Sequence, residues 1–179
     1  MYFVFCINIM KIILETDRLY LREFVPSDGF HFYHLNNDQE VIKYTGNKAF
    51  KSLDEAMLFI ENYPDYKHNG YGRWAVCLKA TNEFLGWCGL KYENNNNNEV
   101  DLGFRFYKKH WGKGYATEAG KACVNYAFST LKINEIVGRA YIENSASINV
   151  LKKCHLIFQK EFKYDQKPAV LYTIKNDTN

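Results

Sequence analysis

The stretch FYKKHWGKGYATEA, residues 106–119, joins a strand-like run to the longest predicted helix of the chain. Gly112 and Gly114 precede that helix, and glycine permits tight turns that bring backbone N–H groups close to a ligand. The first N–H groups of a helix have no partners within it and carry partial positive charge, which suits an anion. Four basic residues lie around the glycines: Arg105, Lys108, Lys109 and Lys113. The stretch predicts a phosphate-binding loop; the alternative is a solvated basic turn that only begins a helix.

The spacing around this loop disfavours the common nucleotide-binding motifs. A dinucleotide fingerprint, G-x-G-x-x-G, would need glycine where Thr117 stands. A Walker A loop needs Ser or Thr after Gly-Lys, whereas the pairs at 112–113 and 120–121 are followed by glycine and alanine. Nucleotide hydrolysis and hydride transfer are therefore disfavoured.

The composition is that of a folded protein whose positive charge is local. Of its 179 residues, 47% are hydrophobic and 17% aromatic, which argues against disorder. A net charge of +3 is too small to indicate a nucleic-acid-binding protein. Five cysteines are scattered without a C-x-x-C pair, so we expect reduced thiols, no metal site and a cytoplasmic location.

The first ten residues, MYFVFCINIM, are apolar but lack a basic region and a cleavage pattern. They are also too short to span a bilayer, and we expect no membrane partner. Met10 begins a run that reads as a complete first strand. We expect residues 1–9 to be an extension produced by an upstream start; the alternative is a short extra strand or a docking tail.

Hydrophobic periodicity predicts antiparallel strands early in the chain and strand–helix–strand units late. Strands are predicted at residues 11–24, 73–79, 83–91, 99–107, 135–141, 158–164 and 169–175. Helices are predicted at residues 26–36 and 52–62, directly after residue 114, and at 145–155. Asparagines 94–98 are predicted to form a hairpin loop. The pattern indicates an α+β (mixed α/β) single domain.

The phosphate loop resembles the acyl-CoA loop of the GNAT N-acetyltransferases, written Arg/Gln-x-x-Gly-x-Gly/Ala. Lys109-x-x-Gly112-x-Gly114 matches it, with lysine at the first position. The longer run WGKGYATEA, residues 111–119, resembles the RimJ/RimL-type branch, which acetylates the N-termini of ribosomal proteins. Three further segments resemble that branch: ETDRLYLR (15–22), VDLGF (100–104) and NSASINVLKK (144–153). The similarity extends over roughly residues 12–175.

This resemblance implies a GNAT-like single domain over residues 10–176. Its central, mostly antiparallel twisted sheet would have six or seven strands, flanked by about four helices. The resemblance also implies acetyl-CoA as the donor, and no metal. Backbone groups near Phe104, Arg105 and Phe106 are expected to pair with the pantetheine arm, and Asn144 to hydrogen-bond it. The pyrophosphate is expected at the loop and helix start: Lys109, Gly112, Lys113, Gly114, Tyr115, Ala116 and Thr117.

Acetyl transfer to an amine requires a neutral amine, a polarised thioester carbonyl and a proton for the departing thiolate. Asp101 takes the place of the branch's central-strand glutamate and is the expected base, acting through water. Glu99, two residues back on the same strand face, is the alternative base, although both acids could simply decorate that face. The resemblance gives Ser147 as the proton donor, because Leu151 stands where many members have tyrosine; Ser147 could also be an ordinary helix-start residue.

We therefore expect an acetyl-CoA-dependent N-acetyltransferase that acts on a primary amine, either a peptide N-terminus or a small molecule, as a monomer or homodimer. The acceptor site is expected among the early helices and residues 41–45, whose aromatic side chains could instead belong to the core. The alternative is a CoA-binding sensor or structural module without turnover. The family commonly has Gly-Phe after the late helix, whereas this chain has His155-Leu156, which leaves that turn open.

Overall fold

The computed structural model describes residues 10–46, 48–94 and 98–176. Eight strands form one sheet in that part of the chain, in the spatial order β1-β2-β3-β4-β5-β6-β8-β7. The strands are β1 (Ile12–Glu15), β2 (Leu19–Arg22), β3 (Arg73–Leu78), β4 (Phe84–Glu93), β5 (Glu99–Phe106), β6 (Glu135–Tyr141), β7 (Ile157–Tyr164) and β8 (Lys167–Lys175). The α-helices are α1 (Asp28–Asn37), α2 (Gln39–Ile42), α3 (Leu53–Glu61), α4 (Asp65–Asn69), α5 (Tyr115–Ser129) and α6 (Ser145–Lys153).

The mixed α/β fold is confirmed, and the strand count is slightly higher than predicted. The run at 11–24, predicted as one strand, is a hairpin of β1 and β2. Thr16 closes its turn: its backbone N–H donates to the carbonyl of Leu19 at 2.9 Å, and its hydroxyl accepts from the N–H of Leu19 at 3.0 Å. The four expected helices correspond to α1, α3, α5 and α6. The predicted hairpin loop at 94–98 and the extension at 1–9 fall largely or wholly outside the described residues.

One pair of neighbouring strands is parallel, and it opens the sheet. The ladder between β5 and β6 holds at Val100–Ile136 and Asp101–Val137, whereas every other neighbouring pair is antiparallel. Beyond Asp101, β5 continues to Phe106 and β6 to Tyr141 without further pairing to each other. The two strands therefore separate towards their carboxyl ends and leave a gap in the sheet.

Two apolar layers cover the sheet. On one face, buried residues of β5 pack with α5 and α6, among them Leu102, Phe106, Ala119, Cys123 and Leu151. On the other face, α1 and α3 pack over β3 and the start of β4, among them Phe32, Ala56, Ile60, Ala75 and Phe84. Because side chains alternate along β5, the consecutive residues Leu102 and Gly103 face opposite sides of the sheet.

A buried ion pair fixes α1 against the sheet. The guanidinium of Arg22 on β2 donates to both carboxylate oxygens of Asp28 at 2.6 and 2.8 Å. The same carboxylate accepts from the backbone N–H of Val25 at 2.9 Å. Asp28 is 1% exposed, so the pair combines bidentate geometry with near-complete burial. Its position sets the start of α1, one wall of the cleft described below.

The turn after α6 contains a residue in the left-handed conformation. His155 has φ of 67°, a region that favours glycine. Its backbone N–H donates to Lys152, and the N–H of Leu156 donates to Leu151, which closes the helix end. His155, where the family commonly has glycine, therefore adopts a backbone conformation that favours glycine.

Candidate active site

The gap between β5 and β6 continues into a cleft of about 1130 Å³. One half lies at the start of α5 and α6, where Gly112, Gly114, Thr117 and Asn144 line it. The other half lies under α1 and is lined by side chains from the opposite face of the sheet, including Trp87. The opening thus joins the start of α5 to a separate compartment across the sheet.

The start of α5 has the geometry predicted for a phosphate loop. Gly112 and Gly114 have φ of 74° and 81°, so both occupy the left-handed region that other residues rarely adopt. Gly114 is the N-cap of α5, and no side chain caps the helix there. A Cβ on Gly112 would meet no atom within 4 Å, so the loop is open on that side. Uncapped N–H groups facing an open cleft can bind an anion.

A clamp formed by Thr16, Arg18 and Glu118 ties the β1–β2 turn to this loop. Glu118 accepts hydrogen bonds from the hydroxyl of Thr16 at 2.6 Å and from the backbone N–H of Arg18 at 3.0 Å. The guanidinium of Arg18 donates to Glu118 at 2.7 Å and to the carbonyl of Lys113 at 3.1 Å. It also lies 4.6 Å from the ring centre of Tyr115. The loop is therefore held from outside by an element distant in sequence.

The clamp also explains why an acidic residue stands next to the predicted phosphate loop. Burial by itself would raise the pKa of Glu118, but hydrogen bonds from Thr16 and Arg18 outweigh it and hold that pKa below its usual value. The carboxylate therefore stays ionised and is neutralised by Arg18, its partner at 2.6 Å.

The predicted lysines lie at the edge of the loop rather than in the cleft. Lys109 pairs with Glu83 at 2.7 Å, and Lys108 reaches Glu40 at 3.5 Å. Lys109 and Lys113 are not among the described residues that line the cleft. Trp111 does line it, and its indole N–H donates to the carbonyl of Phe106 at 2.8 Å.

Asp101 lies at the last pair of the β5–β6 ladder and faces two arginines. Its carboxylate contacts Arg73 at 2.6 Å and Arg139 at 3.3 Å, one on each oxygen. Glu99, the alternative base, pairs with the same Arg139. A Cβ on Gly103 would lie 2.5 Å from Arg73, so the absence of a side chain at Gly103 leaves room for this arginine. The predicted acids are thus brought together, but inside an ion-pair network.

The compartment under α1 contains a second group of polar and aromatic residues. The guanidinium carbons of Arg73 and Arg105 lie 5.4 and 5.3 Å from the ring centre of Trp87. Arg105 also donates to the side-chain oxygen of Asn36 on α1. Its side chain therefore lies on the side away from the phosphate loop, although sequence reasoning placed its charge around that loop.

The start of α6 presents the predicted Asn144 and Ser147 to the cleft. The side-chain oxygen of Asn144 accepts from the backbone N–H of Ser147 at 3.1 Å, so Asn144 is the N-cap of α6. Leu151 is 1% exposed and packs towards Gly138 in the core. The position that holds tyrosine in many family members thus carries no proton donor here.

Sequence reasoning missed five residues that build the site: Arg18, Arg73, Trp87, Glu118 and Arg139. Arg18 and Glu118 stand within segments that carried the family resemblance, and an acid beside a phosphate loop was a usable signal. The other three come from different strands and meet only in the folded sheet, so no spacing along the chain indicates them.

Within the described residues, no cluster of three or more His, Cys, Asp or Glu side chains is arranged to hold a metal ion. In the same part of the chain, no helix has the length and apolar character needed to cross a membrane.

The sequence profile of the acetyltransferase (GNAT) domain matches residues 18–157. The chain therefore belongs to the GNAT acetyltransferase family, and it is an N-acetyltransferase of the class that uses acetyl-CoA.

Two relatives illustrate how similar the family members are. Over 149 residues the chain is 33% identical to p20 of Bacillus licheniformis, an N-acetyltransferase whose own role is uncharacterized, and the match covers 83% of each protein. It is 35% identical over 174 residues to FsC-acetyl coenzyme A-N(2)-transacetylase of Aspergillus fumigatus, covering 87% of this chain and 70% of that protein.

Solved structures share the fold at lower identity. A GNAT-family acetyltransferase from Bacillus anthracis has a TM-score of 0.79 at 24% identity, covering 93% of this chain and 99% of the other. Ribosomal-protein-S5-alanine acetyltransferase from Vibrio fischeri has a TM-score of 0.78 at 16% identity, covering 92% and 97%. Spermidine N-acetyltransferase from Vibrio cholerae, solved with CoA and spermine, has a TM-score of 0.75 at 20% identity, covering 90% and 97%.

Proposed function

We propose that this cleft moves the acetyl group of acetyl-CoA directly to a primary amine, on a peptide N-terminus or a small molecule. The observation that carries the proposal is the separation of β5 from β6 next to an uncapped helix start. A donor bound by its pyrophosphate at Gly112–Thr117 would extend its pantetheine arm into the gap. The acceptor would approach from the compartment under α1. The proposal treats residues 10–176 as one acetyltransferase domain.

The donor would be held mainly by backbone groups. The free N–H groups at the start of α5 suit the pyrophosphate, and the edge of β5 from Phe104 to Phe106 suits the amide groups of pantetheine. Asn144 uses its oxygen as the cap of α6, so its amide N–H₂ is the part that would donate to pantetheine. A backbone N–H in β5 would polarise the thioester carbonyl.

The proton transfers would be divided between Asp101 and Ser147. A carboxylate oxygen carries more than one acceptor site, so Asp101 can bind its arginines and still accept a proton relayed by water. Glu99 is the reserve base on the same strand face. Ser147 would donate to the departing thiolate, since Leu151 cannot.

Two features bear on the class of acceptor. The segments at 15–22, 100–104, 111–119 and 144–153 resemble the RimJ/RimL-type branch, and the Vibrio fischeri neighbour acts on a ribosomal protein. The Vibrio cholerae neighbour acts on spermidine. A peptide N-terminus and a small amine therefore both remain within the proposal.

The proposal also includes a cytosolic site of action. The reduced, buried thiols of four described cysteines support it.

The alternative is a CoA-binding module without turnover, and the observations on its side are the ion pairs of Asp101 and the buried Leu151. A thermal-shift measurement separates the acetyltransferase and the CoA-binding module from a nucleotide-binding domain. At about 100 times its Kd, a ligand stabilises the fold by about 2.7 kcal/mol, a rise in Tm of roughly 5–10 °C. We expect this rise with acetyl-CoA and CoA. A rise with ATP or NAD, but not with CoA compounds, would contradict the proposal.

A further inference from the structure

One side of the compartment under α1 is formed by aromatic side chains. Five of them line the cleft there and are called the aromatic wall below: Phe24, Phe32, Phe50, Phe59 and Tyr63. The ring centre of Phe24 lies 4.8 Å from that of Phe32 and 5.1 Å from that of Tyr63. The ring centre of Phe59 lies 5.9 Å from that of Phe32 and 5.8 Å from that of Phe50. The five rings therefore form one continuous apolar surface.

Part of the aromatic wall is open to a ligand. Phe32 is 5% exposed and belongs to the core, whereas Phe59 on α3 is 45% exposed and Phe50 is half-buried. Leu58, the neighbour of Phe59 in sequence, is 57% exposed but is not among the described residues that line the cleft. Phe59 therefore contributes apolar surface to the cleft, while Leu58 contributes it elsewhere.

The aromatic wall extends to the surroundings of Asp101. The phenolic oxygen of Tyr63 accepts a hydrogen bond from the backbone N–H of Arg73 at 2.8 Å, and the side chain of Arg73 donates to Asp101 at 2.6 Å. Trp87, whose ring centre lies 5.4 Å from the guanidinium carbon of Arg73, packs against the same core cluster as Phe50. The wall is therefore continuous with the end of the β5–β6 ladder, where the transfer is proposed.

We propose that the acceptor carries an aromatic group beside its primary amine, and that this group packs against the aromatic wall at Phe50 and Phe59. The inference rests on the proposed acetyl transfer and deepens it by naming the class of acceptor. A bound ring would remove apolar area from water on the ligand and on the wall, and ring pairs gain further from edge-to-face contact. A polyamine would instead bring a second ammonium against an apolar surface, which costs hydration, and is therefore disfavoured.

The test uses three small acceptors: 2-phenylethylamine, ethylamine and 1,4-diaminobutane. A peptide pair that differs only in its first residue, Phe or Ser, covers larger acceptors. Acceptor-dependent CoA release from acetyl-CoA gives kcat/KM for each. We expect the phenyl-bearing member of at least one series to exceed its counterparts by about tenfold or more, the effect of burying a ring of that size. The comparison is made on the wild-type protein and does not depend on any variant's folding.

Variants then assign the preference to the aromatic wall. In Phe59→Ser the ratio of kcat/KM for the phenyl-bearing acceptor to that for its counterpart should fall towards one, and Phe59→Leu should keep part of it. Leu58→Ser, on the same helix, should leave the ratio unchanged. Both values of a ratio come from one variant, so a loss of folded protein lowers them equally.

Three results would count against these expectations. Equal or faster turnover of ethylamine, the diamine and the Ser peptide would overturn the aromatic acceptor only. A preference that is unchanged in Phe59→Ser would overturn its assignment to the aromatic wall. Absence of CoA release with every amine class would instead contradict the proposed function, and the inference with it.

Discussion

At the scale of single residues, Asp101 has two tasks, and a matched control is needed to tell them apart. It balances Arg73 and Arg139, and it is the proposed base. Asp101→Asn should lower kcat by about 100-fold, the usual contribution of a general base, while the KM for acetyl-CoA changes little. The measurement is kcat against pH, in which loss of a base removes the acidic limb. Asp101→Glu should restore part of the rate.

Glu99→Gln is the matched control, since Glu99 pairs with the same Arg139 without lying at the end of the ladder. We expect its kcat to stay within a few-fold of wild type. A larger loss in Glu99→Gln than in Asp101→Asn would move the base to Glu99. An Asp101→Asn enzyme with unchanged kcat at every pH would remove Asp101 from the mechanism.

His155 gives a stability prediction at the same scale. In the left-handed region, a residue other than glycine lowers the folding stability by about 1–2 kcal/mol. Replacement by glycine removes this cost, but the more flexible unfolded chain of the glycine variant cancels part of the gain. The side chain of His155 is exposed, so His155→Gly should raise stability by about 0.5–1 kcal/mol and Tm by roughly 1–4 °C. Lys152→Gly, inside α6, should destabilise instead. A lower Tm for His155→Gly would mean that the histidine makes a compensating contact.

At the scale of secondary-structure elements, the clamp between the β1–β2 turn and α5 supports the proposed donor loop. Arg18→Gln and Glu118→Gln should each raise the KM for acetyl-CoA by about two- to fivefold and leave kcat within about twofold. The double variant should show little further loss, with a coupling energy of about 0.5–1 kcal/mol because the pair is partly exposed. Lys79→Gln, whose lysine pairs with Glu15 on β1, should leave that KM unchanged.

The clamp also has a defined pH dependence. The folded-state pKa of Glu118 is lowered, so its contribution to stability is fully present above 4.5, the ordinary value, and is lost as pH falls through the lowered value. Donor binding at neutral pH should therefore not depend on the titration of Glu118.

Additive effects of Arg18→Gln and Glu118→Gln on the KM for acetyl-CoA would contradict a shared role of the two residues in the clamp.

Elements whose chemistry is local could be predicted from the sequence, and the glycine turn before α5 is the clearest case. Two glycines before an amphipathic helix require no knowledge of the rest of the fold, and the structure places both in the left-handed region. The hairpin at 12–22 was missed because both strands are apolar and the turn has no glycine or proline. The arginines around Asp101 were missed because β3, β5 and β6 meet only through sheet topology.

At the scale of the whole molecule, the proposed function places the two substrates on opposite sides of the sheet. The helix start and α6 lie on one side of the gap, and the arginines and Trp87 lie on the other. In the proposed function, the donor thioester and the amine would meet near Asp101, where the ladder ends. This arrangement makes acetyl transfer a property of the complete fold rather than of the loop alone.

The most direct test is acceptor-dependent turnover with acetyl-CoA, followed by thiol release and by the mass of the acceptor. The account predicts that, with at least one primary amine, CoA and mono-acetylated amine form in equal amounts, and that acetylation is lost when the amine is blocked. Stabilisation by acetyl-CoA without product from any peptide or small-molecule amine would contradict it and leave the binding module as the better description.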